Sequence, residues 1–210
     1  VFIAFTYKDS QKNTTDIPEA NQSALDTAWP SNEVDKASIK ESTKQYQIDA
    51  SYPVVKDKNI SVLLKDFAES QVNQFKQDTS WINDPEVSSA SEGELSINID
   101  YEKKSSANTE TYIFTTATYT GGAHGIQFTK TMTFSKLGKL IRIENLFSNI
   151  TTGLKLVSDY VKAELMKGEY ADPDSINTGA SPIKDNYQSF YITNEGVTFI
   201  FDPYQVAPYS

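Results

Sequence analysis

The fold is decided by the stretch Tyr46-Gln47-Ile48-Asp49-Ala50-Ser51-Tyr52-Pro53, in which apolar and polar residues alternate. A period of two is typical of a strand with one buried face, and the proline ends the pattern. From residue 60 to residue 75 the apolar residues recur instead at helical spacing, with Asn59 as the predicted N-cap. We therefore predict a strand followed by an amphipathic helix that packs on its sheet.

The remaining ordered segments are predicted to be strands and one more helix. Segments rich in β-branched and aromatic residues and bounded by turns favour strands. They lie at residues 95–101, 111–119, 126–143 (a hairpin) and 190–201 (a second hairpin). The second helix is predicted from the apolar stripe Leu154, Val157, Val161 and Leu165.

The order of these elements predicts an α+β fold with mainly antiparallel sheets. The sequence shows no strand–helix–strand alternation of the kind that demands a parallel sheet. We expect two amphipathic helices on one face and two intimately packed lobes. The first lobe is predicted at residues 46–120 (strand, helix, strands) and the second at residues 121–210 (hairpin, helix, hairpin).

The N-terminal region is predicted to connect these lobes to a membrane. The apolar Val1-Phe2-Ile3-Ala4-Phe5 is interpreted as the end of a membrane anchor, and a short strand is the alternative. Residues 6–45 are mostly Ser, Thr, Asn, Asp, Glu and Lys, a composition that indicates a polar tether. Within the tether, Leu25, Ala28 and Trp29 share one face of a helical turn, which either docks or stays a linker patch.

Composition excludes several classes of function. The 210 residues carry 28 acidic and 19 basic side chains, a formal charge of −9, whereas nucleic-acid binding needs clustered Lys and Arg. No cysteine is present, and one histidine falls short of the two or three imidazoles that zinc hydrolases usually use. We predict a protein that is not an enzyme and that has no cofactor, no metal and no nucleic-acid partner.

The first candidate site is the glycine-rich segment Tyr119-Thr120-Gly121-Gly122-Ala123-His124-Gly125. Glycines let the backbone turn sharply and expose its amides, so Gly121, Gly122, Ala123, His124 and Gly125 are predicted to contact a ligand. The alternative is a tight connection whose histidine bonds a neighbouring carbonyl. The acidic segment at 172–179 has the wrong spacing for a calcium loop and is interpreted as a solvated loop.

Two motifs give the chain a resemblance to a known family. The segments 119–125 and 201–210 resemble an extracytoplasmic domain of RsiV-type anti-sigma factors. The same family is similar to the region before the catalytic domain of PdaC-type peptidoglycan deacetylases, whose opening strand matches residues 46–53. Family members continue into another strand after the motif at 201–210, so the resemblance implies a chain that either is truncated at the C-terminus or lacks that strand.

The resemblance implies a bacterial, extracytoplasmic ligand-binding or sensor domain that contacts the membrane only through its N-terminal anchor. A lysozyme-like cationic protein or peptidoglycan is the implied ligand, and the acidic charge favours the cationic protein. Asp202, Tyr204, Gln205 and Tyr209 would then form a binding rim with the glycine turn. The alternative is an accessory or catalytic module of a cell-wall hydrolase or deacetylase, built around His124. The oligomeric state is left open.

Overall fold

The chain folds into two β-sheets and three α-helices in the residues that the structure, a computed structural model, describes: 3–7, 35–83, 94–169 and 171–208. The strands are β1 Ile3–Tyr7, β2 Asp35–Ser42, β3 Tyr46–Val54, β4 Leu95–Ser105, β5 Thr109–Tyr119, β6 Ile126–Ser135, β7 Leu140–Ile141, β8 Phe190–Thr193 and β9 Gly196–Phe201. The helices are α1 Lys58–Asp78, α2 Ile150–Leu165 and α3 Pro173–Gly179. One sheet has the order β2-β3-β4-β5-β6-β7 and the other β1-β9-β8. The predicted α+β class with mainly antiparallel pairing is confirmed.

Two compact units divide these residues differently from the predicted lobes. One unit contains the described residues within 33–102 and 112–130, and the other contains 103–111, 131–210 and the N-terminal strand. The boundary predicted at residue 120 is absent because β4, β5 and β6 each contain residues of both units.

The predicted strand at residues 46–53 is β3, and its neighbour β2 was not foreseen. Ile48 and Ala50 are buried, as the alternation requires. β2 pairs antiparallel with β3 and lies inside the segment predicted to be a polar tether, so the tether prediction is wrong for residues 35–42. Only Ala37 and Ile39 carry its apolar alternation, and both are only half-buried on this edge strand.

The strands β3 and β4 are parallel, with Ile48 opposite Ile97, and α1 lies between them in the chain. The expectation that no strand–helix–strand unit exists is therefore wrong. The long polar segment that follows α1 hid the crossover. The helix begins at Lys58, one residue before the predicted cap, because the Asp57 side chain accepts hydrogen bonds from the first-turn amides.

The predicted apolar face of α1 is confirmed in its main positions. Buried residues recur every three or four positions: Ile60, Leu64, Ala68, Val72 and Phe75. The Phe67 ring packs on Phe114 of β5, with 4.7 Å between ring centroids.

The second helical stripe also packs as predicted. Leu154, Val157, Val161 and Leu165 of α2 are buried in one cluster with aromatic residues of β8 and β9. Tyr187 lies at the centre of these rings, 5.2 Å from Phe199 and 5.7 Å from Phe201 in nearly perpendicular orientations.

Hydrogen bonds from β6 hold the start of β8 in the same unit. The hydroxyl of Thr131 accepts from the Phe190 amide at 2.9 Å, and the hydroxyl of Thr133 donates to the Phe190 carbonyl at 3.3 Å. Buried backbone groups need such partners, and the two threonines satisfy both groups of one residue.

Two further segments differ from their first interpretation. Residues 3–7 form β1, which pairs antiparallel with β9; this is the short strand left open as the alternative to an anchor. The predicted loop at 172–179 is largely the helix α3, whose N-terminus is capped by the Asp172 side chain at 3.0 Å from the Ser175 amide. The docking turn proposed for Leu25, Ala28 and Trp29 lies outside the described residues.

Candidate functional site

The glycine turn, residues 119–125, joins the neighbouring strands β5 and β6 and is exposed to solvent from Gly122 to Gly125. Gly121 and Gly122 have φ angles of 100° and 101°, which residues with a Cβ rarely adopt. Gly125 lies so close to Thr118 that an added Cβ would come within 2.8 Å of its carbonyl oxygen. The conformation of the turn is therefore enough to explain these glycines, and they are not by themselves evidence for a ligand.

The turn is braced from within by tyrosine. The Tyr119 hydroxyl donates to the Gly122 carbonyl at 2.9 Å. The bond closes the turn and leaves the exposed backbone in a defined conformation. A preformed surface of this kind loses less conformational entropy on binding than a flexible loop does.

His124 bonds a neighbouring carbonyl, as the alternative interpretation of the turn as a tight connection expects. Its Nδ1 lies 3.1 Å from the carbonyl oxygen of Gly125, to which the tautomer protonated at Nδ1 donates. The ring is exposed, whereas a general base is usually held in a partly desolvated site beside its nucleophile.

Trp81 extends the glycine turn, and the sequence pattern did not single it out. Its Cζ2 atom lies 4.0 Å from the position that a Cβ on Gly121 would occupy, so the indole borders the turn directly. Trp81 follows the end of α1 and is partly exposed. As one of only two tryptophans in the chain, it could have been flagged from composition alone.

The second predicted element, the C-terminal turn at residues 202–206, is fixed to α3. The Gln205 amide group accepts from the Asp202 amide at 3.1 Å and donates to the carbonyls of Gly179 and Asn186 at 3.0 and 3.1 Å. The side chain of Gln205 is thus used inside the fold, and Val206 beside it is buried. Gln205 therefore holds the C-terminal turn in position, and its predicted contact with a ligand stays a prediction.

Tyr204 is the exposed member of the C-terminal turn. Its side chain is 52% exposed and its φ is +68°, the positive value found for no other non-glycine residue in the described part of the chain. A left-handed backbone costs a residue with a Cβ about 1 kcal/mol. Asp202 is partly exposed, and Tyr209 lies outside the described residues.

The glycine turn and the C-terminal turn belong to different units. Trp81, Tyr119 and His124 are brought together in one unit, and Tyr204 and Gln205 in the other. The single rim predicted from both turns therefore stays a prediction.

An ion-pair cluster links β2 to α1 and was also missed. Glu41 accepts from Lys76 Nζ and from the Tyr46 hydroxyl, each at 2.5 Å. The hydrogen bond from Lys76 lowers the pKa of the Glu41 carboxyl, and the same carboxylate raises the pKa of Lys76 and of Tyr46. The charged side chains are 37–40% exposed, so the cluster is a surface brace for an edge strand.

The described residues offer no group of three or more His, Asp and Glu side chains arranged to hold a metal ion. In the same residues, every helix is too short or too polar to cross a membrane.

Comparison with family models divides the chain in two. Residues 39–127 match the model described as "Deacetylase PdaC", and residues 144–210 match "Protein of unknown function (DUF3298)". The first match contains Trp81 and the whole glycine turn, and the second contains Tyr204 and Gln205.

Comparison with whole proteins gives the same two relationships. The chain is 30% identical to the peptidoglycan-N-acetylmuramic acid deacetylase PdaC of Bacillus subtilis; the match covers 98% of this chain and 43% of that protein. Crystal structures of DUF3298-family proteins from Bacteroides fragilis and Pseudomonas aeruginosa share the fold, with TM-scores of 0.55 and 0.58. They are 18% and 12% identical and cover 85% and 88% of this chain, and 87% and 88% of their own.

Proposed function

Because residues 39–127 of this chain belong to the PdaC family and residues 144–210 to the DUF3298 family, we propose that the chain is a non-catalytic envelope module that binds peptidoglycan. The relative that matches nearly the whole chain is named for an activity on peptidoglycan. The chain spans 43% of the length of that relative, so its binding to peptidoglycan is proposed from the residues of this chain.

The observation that carries the proposal is the braced, exposed glycine turn beside Trp81. Exposed backbone amides and carbonyls can exchange hydrogen bonds with the N-acetyl groups of a glycan. The indole offers a flat apolar face to the C–H groups of a sugar ring, and its Nε1–H is a donor for a hydroxyl.

The test is sedimentation of the purified chain with insoluble peptidoglycan, followed by calorimetry with soluble muropeptides. Trp81→Ala should weaken binding about tenfold, because a single aromatic contact of this type is worth about 1.4 kcal/mol. Gly122→Ala should also weaken it. A Cβ there meets no atom within 4 Å but must adopt a φ near +101°, so the change acts on turn conformation alone.

The matched control is Tyr160→Ala, which removes a 36%-exposed aromatic ring from α2, a helix of the other unit. It should bind as well as the parent chain. Equal binding by the parent, Trp81→Ala and Gly122→Ala would refute the proposed site, and absence of sedimentation with peptidoglycan would refute the function.

A cationic, lysozyme-like protein is the second candidate ligand, favoured by charge. Between residues 169 and 202 the chain carries six acidic residues and one basic residue: Glu169, Asp172, Asp174, Asp185, Glu195 and Asp202 against Lys184. An acidic surface speeds encounter with a basic partner, so association should slow as salt rises from about 0.02 to 0.3 M. Calorimetry with lysozymes of more than one type tests it; no heat at about 0.1 mM would exclude a useful affinity.

A catalytic module built around His124 is the remaining alternative. We propose instead that its ring serves the turn, because it is exposed and bonds Gly125. Acetate release from peptidoglycan fragments, lost in His124→Ala, would overturn this. The proposed ligand also implies that the domain acts outside the cytoplasm, and labelling of intact cells with a membrane-impermeant reagent would test that location.

A further inference from the structure

We call residues 136–142 the hairpin tip: they comprise the turn after β6, the short strand β7 and Arg142, and they combine apolar and basic side chains that are exposed or partly exposed. Leu137 is 83% exposed, the highest value among the large apolar residues of the described chain, and Leu140 is 36% exposed. A single exposed leucine is common on protein surfaces. Leu137, however, lies in the turn of an ordered hairpin with Leu140 three residues later, and the two form a small protruding apolar surface.

The charges of the tip are opposite to those of the whole protein. Residues 136–142 carry Lys136, Lys139 and Arg142 and no acidic residue, in a chain of formal charge −9. Among the described residues, none of these three side chains forms an ion pair. The adjacent Glu144 is engaged by Lys184 at 3.0 Å.

Hydrogen bonds hold the tip in a fixed conformation. Gly138, with a φ of 72°, donates through its amide to the Ser135 carbonyl at 2.8 Å, and the Ser135 amide donates to the Lys139 carbonyl at 2.9 Å. The Lys136 amide donates to the carbonyl of Asn108 at 3.1 Å, which ties the tip to the turn between β4 and β5. Leu137 therefore lies in a turn whose backbone is fixed by hydrogen bonds.

A neighbouring turn contributes one acidic side chain to the same end of this unit. The Asn194 side chain, in the turn between β8 and β9, accepts from the Ala107 amide at 2.8 Å, and Glu195 follows it. With Glu144 balanced by Lys184, Glu195 is set against the three cations of the tip, so these residues together carry a net positive charge.

We propose that the tip docks on an anionic membrane surface, with Leu137 entering the headgroup region and Lys136, Lys139 and Arg142 contacting lipid phosphates. Apolar residues flanked by Lys and Arg are the combination that binds such interfaces. A soluble polyanion would use the three cations but leave Leu137 in water, so the exposed leucine favours a lipid surface over a phosphate polymer.

Vesicle flotation with the purified chain tests the proposal. The probe is phosphatidylcholine vesicles with and without roughly a third phosphatidylglycerol. The chain should float with the anionic vesicles and not with the neutral ones. Lys136→Gln with Lys139→Gln should lower the partition coefficient about 25-fold, since each basic residue near such a surface contributes about fivefold. Leu137→Ser should lower it about tenfold.

The matched control is Lys155→Gln with Lys167→Gln, which makes the same change in net charge on α2 and just after its end, where both lysines are exposed and paired with acids. It should float like the parent chain. Equal loss in this control would overturn the proposal, because the effect would then follow net charge and not the tip.

A site-specific probe separates insertion from simple adsorption. The chain has no cysteine, so Leu137→Cys gives a single attachment point for an environment-sensitive dye, and Ile183→Cys, at a 53%-exposed apolar position, is its control. Anionic vesicles should shift the emission of the dye at position 137 to the blue and leave position 183 unchanged. No shift at 137, or full competition by soluble polyphosphate with no effect of Leu137→Ser, would assign the tip to a phosphate polymer and refute lipid docking.

Discussion

Two buried threonines allow the contribution of one hydrogen bond to be measured with a built-in control. Thr131 is 7% exposed and its hydroxyl accepts from the Phe190 amide at 2.9 Å. Thr116 is fully buried, and its hydroxyl has no hydrogen-bond partner among the described residues. Threonine to valine replaces the hydroxyl by a methyl group at nearly constant volume, so each change removes only the polar group.

The two substitutions should have opposite effects on the free energy of unfolding. Thr131→Val leaves the buried Phe190 amide without its acceptor and should cost about 1–3 kcal/mol. Thr116→Val removes a desolvated hydroxyl that gains nothing from the fold, and it should stabilise the protein by about 1 kcal/mol. The expected gap between the variants is therefore about 2–4 kcal/mol.

Urea unfolding followed by circular dichroism measures this gap as a difference in midpoint at constant slope. The sign for Thr116→Val is the informative result, because most substitutions in a core destabilise. If both variants were destabilised equally, the hydroxyl of Thr116 would have to be satisfied in solution, and the reasoning from the buried geometry would fail.

Three further changes test other parts of the structure. Gly179→Ala should cost about 3 kcal/mol or more in thermal or urea melts, because its Cβ would lie 1.6 Å from the Gln205 carbonyl oxygen, whereas Gly168→Ala, with 3.3 Å to its nearest atom, should be mild. Glu41→Gln should lower the free energy of unfolding at neutral pH only. The pKa of Glu41 in the folded chain lies below its ordinary 4.5, so the carboxylate stabilises the fold above pH 4.5, and this stabilisation is lost as the pH falls through the folded pKa. A loss of unfolding free energy that persists in acid would contradict this. Tyr204→Gly should leave the free energy of unfolding within about 1 kcal/mol, since relief of the positive φ offsets the added freedom of the unfolded chain; a larger loss would mean that the ring is packed.

The segments with strong local patterns were predictable from the sequence. The alternation at β3 and the helical stripes of α1 and α2 each place several large apolar residues on one face, and burial follows from that placement. The hairpins around β7 and β9 were found because a glycine marks each turn, Gly138 at a φ of 72° and Gly196 at 149°.

The missed features depend on contacts between distant residues. β2 carries two modest apolar residues and is held by its pairing with β3 and by Glu41 with Lys76, 35 positions away. The periodicity of neighbouring residues contains no information about such a long-range pairing. Trp81 was missed for the same reason, because only the folded chain places it beside Gly121.

In the candidate sites, the backbone conformation of several residues differs from the one that most amino acids prefer. Gly121 and Gly122 adopt positive φ angles easily but lose more conformational entropy on folding than other residues do. Tyr204 holds a positive φ that glycine would adopt at less cost. At the glycine turn the conflict is resolved by residue choice, so the turn alone explains the sequence. At position 204 a conflict of this kind remains, because the tyrosine ring is 52% exposed and the residue still holds a positive φ. Trp81 beside Gly121 therefore remains the feature that points to a ligand at the glycine turn, and weaker peptidoglycan binding by Tyr204→Gly would show that the C-terminal turn adds a contact of its own.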